Sequence, residues 1–119
     1  MIKEDYVSFE VAKLLKEKGF VTPCNWLYCS DGTFGHRNSL WDKEMFPAPT
    51  LQMAMKCLRE KYYLHIWIDY SRLDLNEKQP YLWNIVETKI DGNYWGGTYC
   101  KTYEEAAELA IKYTLENLV

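Results

Sequence analysis

Apolar and polar positions alternate most regularly between Tyr81 and Cys100, and the rest of the chain is read around that stretch. Tyr81, Trp83 and Ile85 fall on one face of an extended chain, and Leu82, Val86 and Ile90 share the other with Asn84 and Thr88. The pattern predicts a strand from Tyr81 to Ile90, a turn at Asp91-Gly92 and a second strand from about Asn93 to Cys100. Gly96-Gly97 interrupts that second strand, which predicts a bulge or a bend. Thr102 and Glu105 then match a capping box, and a helix follows almost to Val119. Its buried side is expected to hold Tyr103, Ala107, Ala110, Ile111, Thr114 and Leu118, with Glu108 and Lys112 paired outside.

The period changes to that of a helix at two earlier places. Ser8 can cap a first helix in which Val11, Leu14 and Leu15 make one apolar stripe, and Gly19 closes it. Thr50, directly after Pro49, can cap a second helix whose buried stripe is Leu51, Ala54, Met55, Leu58 and Tyr62. Asn25 to Ser30 reads as a short strand, Asp31-Gly32 as a turn, and Thr33-Phe34 as the start of a returning strand. Gly35 to Pro49 is irregular and is expected to be a loop with a strand near Leu40. Leu64 to Tyr70 reads as a strand with His65, Trp67 and Asp69 on the face opposite Leu64, Ile66 and Ile68. Ser71 to Pro80 is polar and is expected to be a loop.

These elements predict one α+β domain over residues 1–119: three helices on an antiparallel sheet of three to five strands, in the order α-β(β)-α-β-β-β-α. A chain of 119 residues buries about two thirds of its surface on folding, enough for one core without metals or disulfides. The 48% apolar content excludes a disordered chain. Nineteen rings (five Trp, ten Tyr and four Phe) exceed what such a core takes up, so some are expected at the surface.

Charge and motifs narrow the function. A net charge of −3 argues against a surface that tracks phosphates. The acidic start, Met1-Ile-Lys-Glu-Asp-Tyr6, predicts no secretory leader, and no apolar run approaches the roughly 20 residues of a membrane span. The expected location is the cytoplasm, with Cys24, Cys29, Cys57 and Cys100 as reduced thiols. Cys24 and Cys29 with His36 lack the knuckle spacing of structural zinc, so neither metal nor cofactor is expected. His36 and His65 are the only bases for a Cys–His nucleophile, and no nucleophile elbow, phosphate loop or paired-carboxylate motif is present.

Asn93 to Tyr99 stands out, because two glycines there expose backbone between Tyr94, Trp95 and Tyr99. With Trp67 these rings suit a protein contact. His36 and Arg37, together in the long loop, are the other candidate binding residues. The leading expectation is a non-enzymatic protein that binds a partner protein, or a second copy of itself, through an aromatic sheet face. The alternatives are a small enzyme using Cys24 or Cys29 with His36, and a single-stranded nucleic-acid binder using Trp67, Trp95 and Tyr99.

Three stretches carry a resemblance: Val7-Ser-Phe-Glu-Val-Ala-Lys-Leu-Leu-Lys-Glu-Lys-Gly-Phe20 with Pro23-Cys24, Ala48-Pro-Thr-Leu-Gln-Met-Ala-Met-Lys-Cys-Leu-Arg-Glu60, and Thr102-Tyr-Glu-Glu-Ala-Ala-Glu-Leu-Ala-Ile-Lys-Tyr113. Together and in this order they resemble a group of small uncharacterised proteins encoded by phages and prophages of gut bacteria. That resemblance implies a bacterial cytoplasmic setting and an accessory role on a mobile element. It implies no reaction, cofactor or binding residue.

Overall fold

Hydrogen bonding in a computed structural model, which describes residues 3–20, 24–39, 44–71, 78–89 and 92–119, sorts the chain into three helices and six strands. They run α1 (Phe9–Glu17), β1 (Trp26–Cys29), β2 (Phe34–His36), a 3-10 turn (Arg37–Ser39), β3 (Met45–Pro47), α2 (Leu51–Tyr62), β4 (Leu64–Tyr70), β5 (Tyr81–Glu87), β6 (Tyr94–Cys100) and α3 (Tyr103–Asn117). The α+β class and the order of elements are as expected. The sheet is not: the strands form two three-stranded antiparallel sheets, ordered β2-β1-β3 and β4-β5-β6, so there are six strands rather than three to five. The extra strand, β3, is only three residues long and ends on Pro47, so it carries almost no alternation. It is an edge strand, where a proline costs no ladder bond. The strand expected near Leu40 and the apex of the turn at Asp91 lie outside the described residues.

The helices start where the caps predict. Ser8 Oγ accepts from Val11 N–H, Thr50 Oγ1 from Met53 N–H and Thr102 Oγ1 from Glu105 N–H, each at 3.0–3.2 Å. The end of α2 is different. Tyr63 adopts a left-handed conformation, φ 59°, without being glycine. Its carbonyl accepts from both the backbone N–H and the hydroxyl of Thr88, at 2.8 and 3.1 Å.

One cluster of buried side chains joins the helices to the larger sheet. Val11, Leu15, Leu58, Leu64, Ile66, Ile85, Ile111 and Leu115 belong to it. Each fully buried aliphatic side chain contributes about 1.5–3 kcal/mol of transfer free energy. Ala106, Ala107 and Ala110 are completely buried, so α3 lies close against the strands. All the helices contribute to this core, with β4 and β5 presenting Leu64, Ile66, Trp83 and Ile85 to it.

Helix α1 lies alongside α3 and runs in the same direction. Ser8 N–H donates to Glu108 Oε1 at 3.1 Å, Lys112 Nζ reaches Glu10 Oε1 at 2.9 Å, and Lys18 Nζ donates to the Val119 carbonyl at 3.2 Å. The expected Glu108–Lys112 pair is thus replaced by two bonds across to α1, because that helix sits where solvent was expected. The Glu10 carboxylate holds the Lys112 ammonium above its ordinary pKa, first through the hydrogen bond and then through its charge.

Gly96 and Gly97 have separate jobs. Between β5 and β6 the pairing runs Leu82–Tyr99 and then Asn84–Gly96, so one extra residue of β6 lies opposite Trp83. A Cβ on Gly97 would sit 1.8 Å from Trp83 Cε2, because the indole lies flat on that backbone. A Cβ on Gly96 would first meet the end of the Tyr94 ring, at 3.2 Å from its hydroxyl. Gly97→Ala is therefore expected to cost about 3 kcal/mol, since the buried indole must leave its place, whereas Gly96→Ala, which asks the Tyr94 ring to give by only a few tenths of an ångström, costs less, about 1–2 kcal/mol. Urea unfolding of the two variants beside the parent checks the ranking.

Candidate functional site

The helices cover only one face of the β4-β5-β6 sheet. The other face carries His65, Trp67 and Asp69 from β4, Leu82, Asn84 and Val86 from β5, and Tyr94, Gly96 and Tyr99 from β6, following the pairing register. Among the described residues no helix lies over it. Tyr94 and Tyr99 are 57% and 42% exposed, and Trp67 is half-buried. His65 stacks on Trp67 with ring centroids 5.8 Å apart, and Trp67 meets Tyr94 at 6.0 Å.

A buried polar residue holds one of these rings. Asn84 is 2% exposed although it points to the uncovered face. Its amide nitrogen donates to Asp69 Oδ2 at 3.0 Å and to the Leu82 carbonyl at 3.3 Å. Its amide oxygen accepts from the Tyr94 hydroxyl. Tyr94 reaches it by lying across Gly96, the cross-strand neighbour of Asn84, where there is no side chain to hold the ring off. Every polar atom of the asparagine side chain is thus used, and one tyrosine ring is fixed on the sheet.

The other candidate residues lie elsewhere. Trp95 is opposite Ile85 on the helix-covered face and packs half-buried against the core. His36 and Arg37 are in the smaller sheet and the turn after it. His36 pairs with Trp26 across the strands and meets that indole edge-on at 5.4 Å. Its Nδ1 accepts from Asn38 N–H at 3.2 Å, which leaves the proton of a neutral ring on Nε2. Arg37 N–H donates to the Asn25 carbonyl at 2.7 Å.

The smaller sheet carries rings that sequence reasoning passed over. Trp26 and Phe34 stack at 5.3 Å with an angle of 14°, and Tyr6 touches both. Phe34 continues the contact to Tyr28 at 5.0 Å, and Tyr28 meets Phe9 of α1 at 5.4 Å. The signal was available: Trp26 and Tyr28 alternate on β1, and Phe34 and His36 answer them on β2. An open cleft of about 430 Å³ beside these rings is lined by Tyr6, Cys24, Trp26, Pro49 and Met53, among others.

Cys29 is poorly placed for nucleophilic chemistry with His36. Cys29 lies three residues along β1 from Trp26, the cross-strand partner of His36. That offset is about 10 Å along the strand, and it turns the thiol and the imidazole to opposite faces. Burial raises the Cys24 thiol pKa, and the Arg37 guanidinium opposes this only in part. An activated cysteine needs the opposite shift. Among the described residues no group of three or more His, Cys, Asp or Glu side chains is arranged to hold a metal. No helix of the described chain is long and apolar enough to cross a membrane. No protein-family model, curated protein or solved structure matches the chain.

Asn84→Asp puts a second carboxylate beside Asp69, so one of the pair must hold its proton in the folded state to a higher pH than in the unfolded chain. The unfolded chain then loses protons first, and the penalty grows as pH rises through about 4 towards 7, reaching about 2–3 kcal/mol relative to the parent. Denaturant midpoints of variant and parent between those pH values check the sign; a gap that narrows with rising pH contradicts it. For Cys24 the raised pKa means that the thiolate forms only above the ordinary range. Alkylation of Cys24 by iodoacetamide, followed by peptide mapping, is expected to be slower at pH 8 than for an unstructured cysteine and to keep accelerating beyond the ordinary thiol pKa.

Proposed function

We propose that this is a non-enzymatic accessory protein that binds a partner protein through the uncovered face of the β4-β5-β6 sheet, in the bacterial cytoplasm and in the service of a phage or prophage. The observation that carries the reading is that Tyr94 is held in place by a fully buried asparagine on a face that no described helix covers. A ring fixed in advance loses little freedom on binding, which is what an interface anchor needs. The mobile-element setting rests on the resemblance of the three helix-forming stretches.

Charge favours a protein over a nucleic acid. The three strands, Leu64–Tyr70, Tyr81–Glu87 and Tyr94–Cys100, contain no lysine or arginine. Strands bordering a single-stranded nucleic acid would carry cations beside the stacking rings. Size favours a transient contact over an obligate dimer. Three strands of this length present about 14 by 23 Å, or roughly 300 Å², against the roughly 800 Å² per partner of a standard interface.

The test is a pull-down from bacterial cells with the tagged parent and with Trp67→Ala/Tyr99→Ala. Both substitutions remove rings of the uncovered face and spare the Asn84 network, so the fold is expected to survive. Partners recovered by the parent should be lost by the double variant at equal melting temperature. Unchanged recovery overturns the reading, and a concentration-dependent dimer in sedimentation replaces the partner protein with a second copy.

A further inference from the structure

We propose that the free edge of β6 beside α3 accepts an extended peptide segment of a partner protein as a fourth strand, with one apolar side chain of that segment seated on Trp83. This does not rest on the uncovered sheet face, and three separate observations meet at the same place.

The first is the edge itself. β6 is the last strand of its sheet, so the half of its backbone groups that points outward has no strand partner among the described residues. It carries no lysine or proline of the kind that blunts an open edge, and its bulge at Gly97-Thr98 is the one feature that interrupts it. The second is a groove of about 240 Å³ between Thr98 of β6 and Leu109, Tyr113 and Glu116 of α3, with Trp83 also lining it. Set against about 30 Å³ per water molecule in the liquid, the groove has room for a side chain. Its walls are largely apolar: Leu109 is 37% exposed, Tyr113 packs on Trp83 at 5.4 Å, and Lys112, which also lines it, is engaged by Glu10.

The third is an unused donor. Trp83 is 7% exposed, and its indole Nε1 is buried without a hydrogen-bond partner among the described residues. An indole N–H can only donate, so a buried one without an acceptor is a cost that a bound carbonyl removes. The missing side chain of Gly97 brings it to the edge: a Cβ there would lie 2.2 Å from that nitrogen. The donor therefore sits over the strand whose edge is open, next to Thr98, where an added strand would pass. Strand addition supplies main-chain hydrogen bonds, and pockets for alternate side chains select the sequence. The groove selects an aliphatic or aromatic residue, and the indole N–H selects a main-chain carbonyl beside it.

The experiment uses a displayed library of random peptides of about seven residues, near the usual strand length, selected on the full chain. Enriched peptides are expected to carry apolar residues at alternate positions. One of them, synthesised, should move the Trp83 indole signal in a ¹H–¹⁵N spectrum downfield; that signal is identified as the one missing from Trp83→Phe. Its affinity should fall about tenfold or more in Leu109→Arg, a substitution at an exposed site whose melting temperature should stay that of the parent. Trp67→Ala/Tyr99→Ala should bind it as the parent does, so failure here is separate from failure of the uncovered face. No enrichment, an indole signal that stays in place, or full binding by Leu109→Arg overturns the proposal. So does a dimer of the parent that Leu109→Arg dissolves, which would make the occupant a second copy.

Discussion

The contact of the Trp83 indole with the bare backbone of Gly97 is the constraint on which the arrangement of β6 depends. The indole lies over the Gly97 backbone at the point where one extra residue of β6 bulges opposite Trp83. The bulge shifts the phase of the strand by one. Before it, Tyr94 faces outward and Trp95 faces the helices; after it, Tyr99 faces outward and Cys100 inward. An unbroken strand would have put Tyr94 and Tyr99 on opposite faces. The exposed pair of tyrosines is thus a result of how a buried tryptophan is accommodated.

The two adjacent glycines serve opposite faces of one strand. Gly97 receives Trp83 from the core side, and Gly96 receives Tyr94 from the other. Each ring covers a stretch of backbone that a glycine would otherwise leave bare. Tyr94 gains a further hold through Asn84, which in turn is tied to Asp69 on the neighbouring strand. All three strands are thereby linked by side chains on the face that lacks a helix, as well as by their backbone ladders. On the other side α3, thin at its alanines, does the equivalent work by close packing.

Elements written in short-range signals were legible in the sequence. The β5–β6 hairpin showed its alternation, α3 its Thr102–Glu105 box, and α1 and α2 their capping hydroxyls. Features set by distant partners were not. β3 is three residues ending on a proline, and what makes it a strand is β1, which lies well before it. The division into two sheets depends on which strands become neighbours, which no local pattern encodes. Asn84 looked like one more polar position on an outward face; its burial depends on Asp69 and Tyr94, 15 and 10 residues away. Trp95 and Tyr99 looked equivalent because the position of the bulge follows from a three-dimensional fit. The Trp26–Phe34 stack was missed for a simpler reason: its alternation spans strands of only four and three residues.

The left-handed Tyr63 ties two parts of the molecule that are distant in sequence. A residue with a side chain in that conformation carries a backbone penalty of about 1–2 kcal/mol. Its carbonyl is anchored by Thr88, 25 residues further on, and the Lys89 ammonium lies over its ring at 5.3 Å. The last turn of α2 therefore leans on the end of β5 for its shape. Helix and hairpin share these bonds at that corner, so a perturbation that frays one end is felt at the other.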